Sequence, residues 1–218
     1  MTRRGCRSGL YSDHRFHLSK SPGLGRWGAP AAMLLLICLS LGVPGAHAAP
    51  GPKDHAHVYL IRGFMNIFSL GMDKLAAKLQ REGIETSVYN HLAWPLVASE
   101  AATEYKSGRV RTIILIGHSA GADAVAQIAA ELGDQGIPVK LAIGLDPGLS
   151  RMPASGHVGR YINYYVSTGI GHTIAKSPQF RGNFQNVDVA NLPGVGHFNI
   201  DKSAVMEDKV MQDIHAAL

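Results

Sequence analysis

The sequence predicts an α/β domain: a mostly parallel, doubly wound sheet with helices on both faces and no large cap domain. Three observations carry this expectation. Short apolar runs of strand length alternate with stretches whose apolar residues recur at helical spacing. Several of the runs are apolar throughout, as strands covered on both faces are. At residues 110–121, Val-Arg-Thr-Ile-Ile-Leu-Ile leads without a break into Gly-His-Ser-Ala-Gly and then an alanine-rich helical stretch.

In chain order, residues 58–61 (Val-Tyr-Leu-Ile) read as a buried strand ending at Arg62-Gly63. Residues 69–82 place Leu70, Leu75 and Leu79 among Lys and Gln at helical spacing, with Gly83 as a stop. Residues 84–89 alternate like a strand, and 95–107 form a helix closed by Gly108. The strand 110–116 and the helix 120–132 flank Ser119. Residues 139–145 are a further apolar strand ending in Asp146-Pro147-Gly148, followed by an aromatic strand at 161–166 and a short one at 185–189. The last helix covers 203–217, with Val205, Val210, Ile214 and Leu218 along one face. The Gly/Pro/Ser-rich stretches 147–160 and 167–184 are too short for a cap domain but long enough to shape a pocket rim.

A length of 218 residues with 46% hydrophobic content suffices for one well-buried domain. The net charge of +5 suggests a polyanionic partner only until the charges are located. Residues 1–48 hold six basic residues and one acidic residue, which leaves 15 of each sign in 49–218. A neutral domain offers no electrostatic case for nucleic acid. Residues 1–48 read as an export signal peptide. A basic region ends at Arg26, the apolar run 31–43 is too short to span a bilayer comfortably, and Ala46-His47-Ala48 is a small-x-small cleavage site. An uncleaved anchor is the competing reading. Arg3-Arg4 lies far from the apolar run for twin-arginine export, and Cys38 lacks the small residue that a lipoprotein signal places before it. Both cysteines, Cys6 and Cys38, fall in this segment, so the mature chain has neither a disulfide nor thiol chemistry. The expected organisation is a signal at 1–48, a short linker at 49–56 containing Pro50-Gly51-Pro52, and the domain at 57–218. The expected location is a bacterial periplasm or the medium, with no stable membrane span after signal removal.

Ser119 is the residue on which a functional reading builds. A strand that turns sharply into a helix strains its turn residue and projects that side chain outward, which demands small neighbours. Gly117, Ala120 and Gly121 meet the demand. A serine hydroxyl is a poor nucleophile until a base takes its proton. The segment from residue 49 onward has eight histidines, of which His157, His172, His197 and His215 follow Ser119 at a distance.

The strand–Gly117-His118-Ser119-Ala120-Gly121–helix unit, set in β/α alternation, resembles the α/β-hydrolase superfamily over about residues 57–217. The resemblance implies a minimal α/β-hydrolase fold in which the serine is followed in chain order by an acid and then a histidine. His197, in the loop Pro193-Gly194-Val195-Gly196-His197-Phe198 before the last helix, matches the superfamily's histidine, with His172 as its rival. His215 falls inside the last helix. Asp146, at the end of the strand after the nucleophile helix, matches the acid, as in lipases with a similar Leu-Asp-Pro context. Asp188, read as mid-strand, is the alternative, and Asp146 also has a plain reading as a turn former before proline. Asp201 is near His197 in sequence only. The oxyanion donors implied are the backbone N–H of Ala120 and that of Phe64 or Met65, in a loop where Arg62 stands in the place of the histidine that many relatives carry.

Two further features have plain readings. His55-x-His57 lacks a third metal ligand, and Tyr161, Tyr164 and Tyr165 are core aromatics before they are a substrate site. The expected activity is that of a serine hydrolase, like an esterase, lipase or thioesterase, that cleaves a carboxylic ester or thioester through an acyl-enzyme on Ser119. It needs no metal or organic cofactor, takes a small-molecule or lipid-like ester, and binds it at an open, shallow site. A non-catalytic exported binding protein on the same scaffold, or a peptidase or acyltransferase with the same three residues, are the competing readings.

Overall fold

Parallel strands need crossover connections, and the order of those crossovers decides where a site can form. A computed structural model describes residues 55–64, 69–148, 150 and 152–218. Residues 1–48, read as a signal peptide, most of the span read as a linker, and Met65 lie outside the described residues. Six strands, β1 (Ala56–Arg62), β2 (Glu85–Asn90), β3 (Thr112–His118), β4 (Val139–Leu145), β5 (Val158–Tyr165) and β6 (Asn183–Asp188), pair in parallel in the order β2-β1-β3-β4-β5-β6. Four α-helices are present among the described residues: α1 (Gly71–Arg81), α2 (Trp94–Lys106), α3 (Ala120–Asp134) and α4 (Ala204–Ala217). β1 starts at Ala56, one residue inside the span read as linker.

Every strand and helix expected from the sequence is present, with ends shifted by a few residues. The reason for the doubly wound arrangement is visible within single strands. Tyr59 and Ile61 of β1 and Ile113 and Leu115 of β3 face α2 and α3, whereas Val58, Leu60, Ile114 and Ile116 face α1 and α4. Both alternating sets are apolar because both faces are covered. Each such side chain contributes about 1.5–3 kcal/mol by leaving water. Alanines at 120, 122, 124, 126 and 129 let α3 lie close on the sheet. β6, by contrast, is a short, mostly exposed edge strand. No helix among the described residues is long and apolar enough to cross a membrane.

The chain steps from β1 outward to β2 and then returns to β3 on the other side of β1. Loops leaving β1 and β3 therefore diverge and leave a crevice at the C-terminal ends of those two strands. The tip of β1, Gly63, and the residue after β3, Ser119, flank it.

At the opposite edge, His57 is buried in a polar network that local sequence could not reveal. Its Nδ1 is 2.7 Å from Glu104 Oε2 and its Nε2 2.9 Å from Ser87 Oγ. Tyr59 donates its hydroxyl to Glu104, and Arg109 pairs with both Glu104 and Glu85. The reading that His57 lacks further metal-capable neighbours is corrected here. α2 brings Glu100 and Glu104 up to it, with ligand atoms within 4.8 Å of one another. Arg109 and Tyr59 engage Glu104, and Tyr89 donates to Glu100 at 2.6 Å, so the cluster is bonded within the protein.

Two consequences are measurable. Leu115→Ala, at a fully buried position on β3 facing α3, should lower unfolding free energy by about 2–5 kcal/mol, read from urea midpoints. Burial lowers the pKa of His57 below its ordinary value, against the opposing pull of Glu85. The fold thus holds this histidine neutral while the unfolded chain protonates it near pH 6.5. Its contribution is present above that pH and is lost as pH falls toward the lowered folded value. The stability difference between wild type and His57→Gln should therefore be largest at pH 8 and shrink by pH 5. A difference that grows on acidification would contradict a neutral buried His57.

Candidate active site

β3 runs directly into α3, and the one residue between them takes the whole change of direction. Ser119 has φ 55° and ψ −122°, a conformation that L-residues rarely adopt. What holds it there is close packing of α3 on the sheet. A Cβ added at Gly117 would lie 2.1 Å from the Gly121 carbonyl oxygen, and one added at Gly121 would lie 2.2 Å from that of Ile61. Both positions admit only glycine, which explains the pattern around the serine. The Ser119 N–H donates to Leu145 O at 2.9 Å, fixing the turn to β4 as well.

Asp146 leaves β4 one strand over and is also held at positive φ, 54°. Its N–H donates to Tyr164 O at 2.7 Å, so β5 sets its direction. The side chain is fully buried. Oδ1 accepts the Val166 N–H at 2.6 Å, and Oδ2 lies 2.7 Å from His197 Nδ1. Burying a carboxylate is costly unless it is hydrogen-bonded, and these two bonds provide that. The loop after β5 covers it closely, since any side chain at Gly171 would overlap Asp146 Oδ1 at 1.5 Å.

His197 stands in the turn between β6 and α4, with Nε2 3.0 Å from Ser119 Oγ. A carboxylate only accepts, so His197 Nδ1 carries the proton and Nε2 presents a lone pair to the serine hydroxyl. Ser119, His197 and Asp146, separated by 78 and 51 positions, are thus joined in one hydrogen-bonded chain, two of them directly after strands and the third in the turn before α4.

The rival residues lie elsewhere. Asp188 is the last residue of β6 rather than mid-strand. It is exposed and accepts the Ser167 and Ala190 N–H groups, which hold its carboxyl below the usual range. His172 is occupied at 3.1 Å from Ser150 O, His157 sits at the entry to β5, and His215 pairs on the surface with Glu82. Asp201 is buried and caps the start of α1, accepting the Gly71 N–H at 2.9 Å. Tyr161 is core, Tyr164 donates to Asp213 at 2.6 Å, and neither they nor Tyr165 line the cleft.

The implied oxyanion donors fall on either side of Ser119. Ala120 is the first residue of α3, where a backbone N–H has no intrahelical acceptor and the helix dipole favours negative charge. Phe64 follows Gly63, which itself approaches so closely that an added Cβ would be 3.1 Å from Ser119 Cβ. The Gly63 N–H is already donated to Ser69 Oγ at 2.8 Å, which leaves the next residues as candidates. Arg62 turns away from the cleft to pair with Asp73 on α1.

The cleft over Ser119 has a volume of about 320 Å³ and is bordered by Phe64, Gly148, Ile170 and Phe198, with no Asp, Glu, Lys or Arg among the described residues that line it. Ser69 and His118 also border it and escaped the sequence reading. His118 was visible inside the motif, but nothing local marked its partners.

No family model and no curated protein matches the sequence. Among solved structures, the fold is similar to that of Est1E from Butyrivibrio proteoclasticus, with a TM-score of 0.54 and 14% identity over 76% of this chain and 89% of that one. It is similar to human thioesterase 2 at a TM-score of 0.50 and 11% identity, covering 75% and 95% of the two chains. An uncharacterized protein from Bacillus cereus ATCC 10987 also gives a TM-score of 0.50 at 11% identity, with 78% of this chain and 61% of that one covered. Together with the six-stranded parallel sheet and the serine-bearing turn from strand to helix, these likenesses identify the architecture as the α/β-hydrolase fold.

Proposed function

We propose that the chain is a serine hydrolase acting on a carboxylic ester or thioester with an apolar acyl part. The observation that carries the reading is the continuous hydrogen-bonded chain from Ser119 Oγ through His197 to buried Asp146, opening on a cleft whose described lining residues include no Asp, Glu, Lys or Arg. Ser119 Oγ attacks the acyl carbon while His197 Nε2 takes its proton. Asp146 stabilises the imidazolium, and the N–H groups of Ala120 and Phe64 receive the developing oxyanion. His197 returns the proton to the departing alcohol or thiol. Water, deprotonated by the same nitrogen, then frees the acid from Ser119.

The apolar acyl part is inferred from where hydrophobic surface is left uncovered. Seven large apolar side chains are exposed among the described residues, Phe64, Leu92, Ile170 and Phe198 among them. All seven lie in connections leaving the C-terminal ends of strands, or in the first turn of the next helix. Apolar surface gathered at one edge of a fold marks a binding region.

A labelled fluorophosphonate should modify Ser119 in the folded protein. Ser119→Ala should lower kcat on the order of 10⁶-fold and Asp146→Asn on the order of 10⁴-fold. A folded wild type that is neither labelled nor active would favour a binding protein on this scaffold. Across p-nitrophenyl esters of rising chain length, kcat/KM should climb about fourfold per methylene until the cleft is filled, since each buried CH₂ is worth about 0.8 kcal/mol. A flat series, or a preference for charged acyl groups, would argue against an apolar acyl part.

A further inference from the structure

Beside the relay, one polar chain joins the two walls of the cleft. His118, the last residue of β3, is 1% exposed and its ring centroid lies 5.4 Å from that of His197. Its Nε2 is 2.7 Å from the backbone oxygen of His197, and its Nδ1 is 2.8 Å from Ser69 Oγ. Ser69, buried in the connection after β1, also accepts the Gly63 N–H at 2.8 Å. These partners leave one consistent assignment of protons. A carbonyl oxygen only accepts, so His118 Nε2 carries the hydrogen. In the neutral ring Nδ1 then accepts, and it takes the single hydroxyl proton of Ser69, whose lone pair receives Gly63 N–H. Burial disfavours the charged ring, and Asp201 Oδ1, 3.9 Å from Nδ1, is the carboxylate nearest to it.

The chain Gly63–Ser69–His118–His197 spans elements that the fold otherwise brings together from opposite sides. Gly63 precedes Phe64 at the tip of β1. His197 sits in a glycine-rich turn that closes on itself through Asn199, which accepts from Gly196 N–H and donates to Gly194 O, both at 2.7 Å. The bond from His118 ties this turn to β3, next to Ser119. A flat, buried ring between the two loops sets their separation.

Building on the hydrolase reading above, we propose that His118 is a positioning residue for the reaction. It holds the backbone of His197 and the Gly63–Phe64 turn at a fixed spacing, so that the base and the second oxyanion donor address the same acyl carbon. It does not exchange a proton with substrate. Misplacement of a reacting group by about an ångström costs on the order of 10²-fold in rate, which sets the scale of the effect.

The test compares wild type with His118→Phe, which keeps a ring but no hydrogen bonds, and His118→Gln, whose amide nitrogen can donate to His197 O. Ser119 labelling rates and the kcat and KM for p-nitrophenyl butyrate are measured on each, with circular dichroism to establish folding. The Phe variant should lose about 10- to 100-fold in kcat and in labelling rate with KM within about threefold, and Gln should recover most of that loss. A folded Phe variant at the wild-type kcat overturns the proposal, as does a folded Gln variant no better than Phe. Should Phe fail to fold, ¹⁵N spectra of the wild-type histidines decide. A neutral, Nε2-protonated His118 supports the proposal and an Nδ1-protonated one overturns it. A wild type whose Ser119 resists labelling fails differently: it removes the hydrolase reading itself, and with it this role for His118.

Discussion

The close seating of α3 on β1 and β3 is the constraint from which the rest of the site follows. With Gly121 against the Ile61 carbonyl and Gly117 against Gly121, the helix axis passes so near the sheet that the chain has a single residue in which to turn. Ser119 takes that turn at positive φ, at a cost of roughly 1–3 kcal/mol for a strained non-glycine residue. The strain persists because the surroundings over-determine it. Ile113, Leu115, Val125 and Ile128 are fully buried between strand and helix, and each is worth about as much as the strain costs. A hydrophobic layer thus holds a hydroxyl in a posture that the local sequence alone would not choose.

The same logic governs the acid. Asp146 also sits at positive φ and is fully buried, a double penalty for a carboxylate. Three bonds offset it: the Asp146 N–H to Tyr164 O, and the Val166 N–H and His197 Nδ1–H to the two carboxylate oxygens. Exclusion of water by Gly171 and its loop strengthens the bond to His197, because an electrostatic interaction gains as local dielectric falls. Serine and acid are therefore placed by the same sheet, one on each of two adjacent strands, and the histidine reaches both from the turn before α4.

Much of this was legible in the chain because the informative features are local. The glycines around Ser119, the strand-end position of Asp146 and the glycine-rich turn of His197 all leave signatures within a few residues. Asp188 was misplaced within its strand because β6 is a mostly exposed edge strand whose weak apolar pattern locates its ends poorly. The networks around His57 and His118 were not legible for a different reason. His57 meets Glu104 across 47 positions and His118 meets Ser69 across 49, so the pairings exist only once the sheet has formed. A buried histidine in an apolar strand looks the same in sequence whether its partners are a carboxylate and a serine or a serine and a carbonyl oxygen.

The two histidine networks lie at opposite edges of the sheet, and those edges differ in how completely their side chains are covered or bonded. At the N-terminal edge, His57, Glu104, Arg109 and Glu85 satisfy one another, and the large exposed apolar side chains among the described residues are absent from it. At the C-terminal edge, apolar side chains face solvent around the cleft and a buried Asp201 oxygen has no hydrogen-bond partner among the described residues. The exposed apolar surface is unfavourable for an isolated domain and is what a binding region retains, whereas the Asp201 oxygen is buried away from the cleft. An all-parallel sheet makes this division unavoidable. Every strand delivers its outgoing loop to the same edge, so the loops free to depart from the rules of burial are gathered around Ser119, while the returning connections at the other edge can be bonded tightly without closing the crevice.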